Sequence, residues 1–466
     1  MVRSKLFTRS ALGVALALGV AAGALTAPVS AFAKDKKEKA PEAPKISPSK
    51  AFIPAYQAAV GGIEKASKNA DITAARTNVT NAENAYRAAK GKDARAQAKT
   101  NLDNAYAALG NALTAEKALL EQAFTVVSNA DDKYLAGQLA LNLGNIALDK
   151  PMQRRGLQAM VDSGKTSPAE TAKFNFYIGG ISFDMKDYPA ARTALEAAIA
   201  GGYTEGDPEY LLAESYIGDN QAPAGLKVLL DASDKKGAGV SEDWLRRGIV
   251  VAYKINNLEY AGAFSSRLVS LYPNNENWAL AIAVQRDLGK YQSQDLIDLM
   301  RLMERTKSFS EERDFVEYIQ AADPRRLPGE VLKVIEEGLA AGKLNPSDPF
   351  VVDAKSNASG RISADKASFP GLEKDARAAN ATAATAMAAG DTFLSYDMPA
   401  KAIDMYQIAL TKPGVDSPRV LTRLGIAQAD AGLYADAQAT FAKVDGVRKP
   451  IADLWSVYAK NKAAGK

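Results

Sequence analysis

Apolar side chains recur three and four positions apart from Ala51 to about Lys462, and many of them are alanines. This spacing places apolar residues on one face of an α-helix. No stretch shows the sustained alternation of apolar and polar residues that indicates strands. Glycine and proline breaks come roughly every 35 residues, a spacing typical of internal repeats. The pattern therefore predicts an all-α chain of many short helices.

The stretch "LTRLGIAQADAGLYADAQATF" (421–441) sets a frame for such a repeat. In a unit that starts near Ser417, Gly425 takes position 8, Ala437 position 20 and Phe441 position 24. Small residues at positions 8 and 20 are expected where two paired helices cross, because a larger side chain would push the helices apart.

The same frame recurs upstream. Units are centred on Gly390 with Ala402 and Tyr406, on Gly179 with Ala191 and Leu195, on Ala213 with Gly225 and Leu229, and more weakly on Gly144 with Gly156 and Met160; Trp244 and Trp278 repeat position 4.

This frame resembles the tetratricopeptide repeat, a 34-residue helix–turn–helix unit. The resemblance covers 137–299 and 383–444 and is to exported tetratricopeptide proteins of Gram-negative bacteria. It implies a right-handed α-solenoid whose concave face holds a peptide or protein partner. Carried onto this chain, the concave positions of the first helix in each repeat give a set of partner-binding candidates: Phe176, Phe183, Tyr210, Glu214, Tyr253 and Arg286.

Two regions depart from the repeat frame. Residues 51–133 predict four alanine-rich helices, either a helical hairpin arrangement or diverged repeats. In 308–380, the stretches 322–331 and 356–371 interrupt the helical pattern and predict a distorted unit with an inserted loop. The predicted organisation is completed by a signal peptide at 1–33, a linker at 34–50, repeats at 134–307, and repeats with a capping helix at 381–466.

The first 33 residues have the three parts of a secretory signal peptide. A basic start with Arg3, Lys5 and Arg9 precedes an apolar core at 11–25, and Ala31-Phe32-Ala33 supplies the small residues that signal peptidase accepts. The core is shorter than the roughly 20 residues that a membrane-spanning helix needs. The sequence therefore predicts export to the periplasm without an integral membrane segment.

Composition narrows the chemistry. The chain has no cysteine and no histidine, so thiolate metal sites, cysteine nucleophiles and imidazole catalysis are excluded. It carries 58 basic and 54 acidic residues, and this near balance gives no reason to expect a nucleic-acid partner. Ser-x-x-Lys occurs at three places without partner motifs, and 214–226 matches the catalytic segment of lytic transglycosylases only superficially. No cofactor or metal is predicted.

The sequence thus favours a non-catalytic binding or assembly scaffold of the bacterial cell envelope. Two alternatives stay open. One is an enzyme that acts on cell-wall glycan through facing carboxylates, and the other is a purely structural envelope component.

We predict cleavage after Ala33 on export. Intact-mass measurement of the protein in the periplasmic fraction should give the mass of residues 34–466. A mass that includes the first 33 residues would show that the N-terminus is not a cleaved signal.

Overall fold

The structure, a computed structural model, describes residues 46–466. The predicted signal peptide and all but the last residues of the predicted linker lie outside this range. Within it the chain forms 22 α-helices and no strand, and it divides into two compact units. The N-terminal unit ends at Ser215 and the C-terminal unit begins at Tyr216. The prediction of an all-α chain of repeated helix pairs is confirmed.

The N-terminal unit holds eight helices and the first part of a ninth. They are α1 (Phe52–Lys68), α2 (Ala70–Ala88), α3 (Lys92–Ala112), α4 (Thr114–Thr125), α5 (Ala130–Ala147), α6 (Lys150–Asp162), α7 (Pro168–Asp184), α8 (Tyr188–Ala200) and α9 (Pro208–Gly218).

The C-terminal unit continues from the end of α9. Its helices are α10 (Ala222–Lys236), α11 (Glu242–Lys254), α12 (Leu258–Leu271), α13 (Asn275–Gly289), α14 (Ser293–Arg305), α15 (Glu312–Ala322), α16 (Pro328–Ala340), α17 (Pro349–Arg377), α18 (Ala383–Ser395), α19 (Pro399–Leu410), α20 (Ser417–Asp430), α21 (Tyr434–Phe441) and α22 (Lys449–Ala463).

Helix starts follow local sequence signals. Asparagine, aspartate or serine side chains accept hydrogen bonds from the first free N–H groups of many helices, as Asn257 does for α12. Ser167 and Glu170 form a full capping box at the start of α7. Proline occupies the first turn of several helices, where its missing N–H costs nothing.

Paired helices approach each other where a glycine at position 8 meets a large side chain at position 24. A Cβ atom added at Gly390 would lie 2.6 Å from the ring of Tyr406. The same relation holds for Gly179 with Leu195, for Gly248 with Phe264 and for Gly425 with Phe441. The glycine at position 8 therefore makes room for the buried side chain at position 24. Close approach of the two backbones is a smaller part of its role.

The pair α5/α6 is packed in a different register. Gly137, rather than the predicted Gly144, faces Gly156 and Met160, while Gly144 faces Gln153. Cβ atoms at Gly137 and Gly156 would both clash with backbone atoms of the opposite helix. Here the glycines do bring two backbones together, so this unit follows its own spacing.

The predicted four helices at 51–133 are present as α1–α4. Helices α1 and α4 pack on each other and on α5, and their apolar residues form one core with those of α5 from Leu135 to Ala147. At the start of the described chain, the backbone N–H of Ser49 donates to the buried carboxylate of Asp132 at 2.8 Å. Helices α2 and α3 pack mainly against each other as an antiparallel hairpin.

The loop predicted at 356–371 is wrong, because these residues lie inside the continuous helix α17. Val351, Ala354 and Ala358 are buried at one end of the helix. Near the other end, Phe369 packs edge-on against the rings of Phe393 and Tyr396. Contacts at both ends outweigh the low helix propensity of its serine, glycine and proline residues. Of the break predicted at 322–331, residues 323–327 form a turn between α15 and α16, and 328–331 already belong to α16.

The predicted capping helix is α22, and it does more than cover one end. Its Trp455 and Leu454 are fully buried, and it packs on α20 and α21 and also returns to α12 and α14. The side chain of Asn461 donates to the backbone oxygen of Val269 at 2.8 Å, across 192 residues. The C-terminal unit is thereby closed by long-range contacts around α14, whose residues 297–304 are all buried.

We predict opposite effects for two Gly→Ala substitutions in neighbouring helices. Gly390→Ala should lower stability by about 1–3 kcal/mol, because the buried Tyr406 ring has no room to move. Gly360→Ala lies in α17 with nothing within 4 Å of the added atom, so it should raise stability by up to about 1 kcal/mol. Denaturation followed by tryptophan fluorescence reports on this unit, since Trp244, Trp278 and Trp455 all lie in it. Shifts of the same sign would contradict the packing.

Candidate partner-binding surfaces

Phe176 belongs to an aromatic patch of the N-terminal unit. Its ring centroid lies 5.0 Å from that of Tyr203 and 5.8 Å from that of Tyr177, and all three side chains are half-buried. Gly206, with a φ of +73°, lets the chain turn directly over the Phe176 ring, where a Cβ would come within 2.7 Å. Part of the Phe176 ring is therefore covered by the turn before α9. The patch that Phe176 forms with Tyr177 and Tyr203 remains partly exposed to solvent.

Polar atoms border this patch. The Tyr203 hydroxyl lies 3.4 Å from a carboxylate oxygen of Glu205. Burial, Tyr177 and Glu205 raise the pKa of Tyr203, so its hydroxyl stays protonated. Lys173 lies 5.9 Å from the centroid of the Tyr177 ring, within reach of a cation–π contact.

The other three candidates in this unit differ in exposure. Phe183 is half-buried and packs edge-on against Tyr188 at the turn between α7 and α8. Tyr210 is half-buried on α9. The side chain of Glu214 is largely withdrawn from solvent, since the residue is only 5% exposed.

Tyr253 and Arg286 both lie beside the carboxylate of Asp287 in the C-terminal unit, and Arg286 is 3.5 Å from it. The Tyr253 hydroxyl donates to Asp287 at 3.1 Å, which joins α11 to α13 across 34 residues, the predicted period. That hydrogen bond is the main cause of the raised pKa of Tyr253. Tyr253 is 43% exposed, and Val250, one turn earlier on α11, is 54% exposed.

Arg286 is engaged inside the protein. Its guanidinium contacts Asp314 at 2.9 Å and Glu317 at 3.2 Å, both on α15, and its side chain is only 10% exposed. Burial acts to lower its pKa, but the hydrogen bond to Asp314 and the two carboxylates outweigh burial and raise it. This arginine therefore ties α13 to α15, and removing it would leave the buried Asp314 carboxylate without its ion-pair partner.

Tyr177, Tyr203 and Val250 were missed by the sequence reasoning. Tyr203 lies in the turn after α8, outside any helix position that the repeat frame marks. Tyr177 is adjacent to Phe176 in sequence, and it reaches the same patch because the helix is only partly covered there. For Val250 the available signal was an apolar residue three positions before Tyr253, and apolar residues at that spacing are usually core.

The surface of the described residues includes the following two grooves. A groove of about 580 Å3 lies among α6, α7 and α8, and a smaller one of about 300 Å3 lies between α16 and α17. The larger groove has one carboxylate, Asp187, which accepts from Arg154 at 2.6 Å. That hydrogen bond lowers the pKa of Asp187. Neither groove presents the two facing carboxyl groups that glycan hydrolysis requires.

A network of charged groups is buried around α14. Asp298 is fully buried and accepts from Arg301 at 2.9 Å and from Arg448 at 2.6 Å, with Arg423 3.5 Å away. The indole N–H of Trp455 donates to the Asp298 backbone oxygen at 2.8 Å. Asp298 thus ties α14 to α20 and α22.

The cluster extends through two buried tyrosines. Arg301 donates two hydrogen bonds to Glu330, and the Tyr318 hydroxyl donates to the same carboxylate at 2.9 Å. Arg423 pairs with Asp391, which also accepts from Tyr406 at 2.8 Å. Burial and the neighbouring carboxylates raise the pKa of both tyrosines.

These buried charges neutralise one another and are almost inaccessible to solvent. Arg301, Arg423 and Asp298 are at most 1% exposed, so a substrate could not reach them without opening the helices. Within residues 46–466 no group of three or more acidic side chains is placed to hold a metal ion. The cluster therefore joins helices, and a substrate in solvent cannot reach its charged groups.

No helix in residues 46–466 is both long enough and apolar enough to span a bilayer.

Comparison with known proteins gives little similarity. No family model and no curated protein matches this chain. A chain of the APC/C hetero-tetramer Cut9-Hcn1 is 12% identical with a TM-score of 0.19, over 74% of this chain and 80% of that one. A chain of the Chs5-Bch1 exomer cargo adaptor complex is 11% identical with a TM-score of 0.19, over 69% and 72%. Similarity at this level supports no argument, so the fold rests on the helix pairs themselves.

We predict that Asp298→Asn lowers the free energy of unfolding by about 3–5 kcal/mol at neutral pH, because three buried arginines lose their shared carboxylate. Burial acts to raise the pKa of Asp298, but Arg423, Arg448 and Arg301 outweigh it and lower the pKa to about 2. The stabilisation is therefore present above the unfolded pKa of about 3.9 and is lost as pH falls towards 2. Denaturation followed by tryptophan fluorescence should show a smaller acid dependence in the variant.

Asp453→Asn is the control for this prediction. Asp453 pairs with Lys449 on the exposed face of α22, with both side chains about half exposed. Its loss should change stability by less than about 1 kcal/mol. Equal losses in the two variants would show that the buried cluster has no special role.

Proposed function

We propose that this protein is a non-catalytic binding or assembly scaffold of the bacterial cell envelope, exported to the periplasm, that holds a protein or peptide partner. The observation that carries the proposal is the aromatic patch of Phe176, Tyr177 and Tyr203. Half-exposed aromatic side chains held in fixed positions are the usual anchors of protein interfaces. The tripartite N-terminus supports the envelope setting.

A second surface supports the same function. Val250 and Tyr253 are two of the most exposed large apolar side chains of the described chain, and they lie one turn apart on α11. The aromatic patch belongs to the N-terminal unit and the Val250–Tyr253 pair to the C-terminal unit, so the proposal includes one contact surface in each unit. Neither of the two grooves supplies the pair of facing carboxylates that the alternative function, a glycan-acting enzyme, would need.

Partner capture from an envelope extract tests the proposal, with the exported chain as bait. Changing Phe176, Tyr177 and Tyr203 to Ala should remove a captured partner, because the aromatic anchors are lost. A second variant with Val250→Ser and Tyr253→Ala tests the other surface. Arg286 is left unchanged, since it is held by buried carboxylates and its loss would perturb folding.

The matched control replaces two exposed apolar residues elsewhere, Leu433→Ala and Val447→Ser. Circular dichroism and melting temperature must agree between wild type and each variant before capture is compared. If both surface variants retain every partner of the wild type, neither surface is the binding site. A wild type that captures no partner at all would favour a purely structural role.

A further inference from the structure

The tip of the α2–α3 hairpin carries an isolated concentration of positive charge. Residues 83–103 contain five basic side chains and three acidic ones, an excess of two positive charges on a chain that is nearly balanced at 58 basic and 54 acidic. The basic residues are Arg87, Lys90, Lys92, Arg95 and Lys99, and all five are exposed.

The hairpin tip stands clear of the rest of its unit. The buried residues of α2 and α3 are Ile72, Val79 and Leu109, all towards the base of the hairpin. From residue 80 to residue 108 none is buried. The turn between the helices, with Gly91 at a φ of +88°, therefore points into solvent with nothing within 4 Å of an added Cβ.

Ion pairs within the hairpin neutralise only two of these five basic side chains. Arg87 pairs with Glu83 and Lys99 with Asp103, both at the flanks of the tip. Arg95 lies 5.2 Å from the centroid of the Tyr86 ring. Lys90 and Lys92, on either side of Gly91, form no ion pair with any residue that the structure describes. Asp93 is the one acidic side chain among Lys90, Lys92 and Arg95, so an excess of positive charge remains at the tip, and an anionic surface would offset it.

From this arrangement we infer that the hairpin tip docks on an anionic phospholipid surface. The tip is a turn between two helices in which no residue from 80 to 108 is buried, so it fits a broad layer of phosphates better than a peptide. Its apolar residues are mainly alanines, too small for insertion among acyl chains, and attraction to the headgroups therefore dominates. Tyr86 is the single aromatic residue in 84–102, and Arg95 lies over one face of its ring, so the tip lacks the row of rings on which successive nucleic-acid bases stack.

This contact is independent of the proposed partner-binding surfaces, which lie on α7, α8 and their turns and on α11. Attachment through the hairpin would hold the scaffold at a membrane by residues that neither of the proposed partner-binding surfaces uses. The attraction is electrostatic and at long range, so it should weaken strongly with salt as the screening length falls from about 10 Å at 0.1 M to about 3 Å at 1 M.

Vesicle co-sedimentation of the exported chain tests this inference. One vesicle set is phosphatidylcholine alone, and in the other a third of the lipid is phosphatidylglycerol. The wild type should bind the anionic vesicles at low salt, release at high salt, and not bind the neutral ones. The variant Lys90→Glu, Lys92→Glu, Arg95→Glu should lower the partition coefficient at least about 100-fold, since each basic residue near the surface contributes about fivefold and its charge is reversed.

The matched control makes the same change of net charge on another exposed helix, with Lys355→Glu, Lys366→Glu and Lys374→Glu on α17. It should keep most of the binding. Equal loss in both variants would reduce the effect to net charge and overturn the inference, as would a wild type that ignores anionic vesicles. Loss of a captured acidic protein in the hairpin variant, without any vesicle binding, would assign the tip to a protein instead. Unchanged circular dichroism of both variants excludes misfolding as the cause.

Discussion

The fold depends on one steric constraint, which is repeated along the chain: a glycine on the first helix of a pair makes room for a large buried side chain sixteen positions later. Gly179 with Leu195 and Gly390 with Tyr406 show the relation in the two units, each with an added Cβ 2.6 Å from the partner side chain. Because the pairs that begin with Gly179, Gly248, Gly390 and Gly425 are closed in the same way, they share one spacing along the chain, whereas α5/α6 keeps its own. The hydrogen bond from Tyr253 to Asp287, across 34 residues, is a direct result of that spacing.

A second constraint acts in the C-terminal unit, where helices distant in sequence are joined by buried charges. Asp298 collects three arginines, and two of them, Arg423 and Arg448, come from 125 residues or more downstream. Such a group is expensive to desolvate and gains its stability only when all its partners are in place. This requirement selects one arrangement of α14, α20 and α22 over other packings of similar apolar helices. Contacts between alanines elsewhere in the chain do not discriminate in this way, because they carry no charge that needs a partner.

The candidate surfaces show how far a repeat frame can locate a binding site. The frame marks Phe176 and Tyr253, and the structure places both side chains partly in solvent on the first helices of their repeats. It also marks Arg286 and Glu214, which are largely withdrawn from solvent. A repeat frame predicts the direction in which a side chain leaves its helix. Whether that side chain stays in solvent depends on the neighbouring helix, as when Asp314 of α15 binds Arg286. Tyr203 could not be marked at all, because it lies in a turn.

The sequence by itself determined the all-α class, the helix pairs and the close-packed positions of Gly179, Gly390 and Gly425, since helical periodicity, glycine and proline breaks and the 34-residue spacing are local properties of the chain. In α5/α6 it marked Gly144 where the structure uses Gly137. It also determined the absence of thiol and imidazole chemistry, which needs only composition. Tertiary structure decided what depends on contacts between distant residues. Helix α17 runs through a stretch rich in serine and glycine because Phe369 is held by Phe393 and Tyr396. The isolation of the basic hairpin tip, and the burial of Asp298 among arginines, likewise follow from which surfaces the folded chain covers and which it leaves in water.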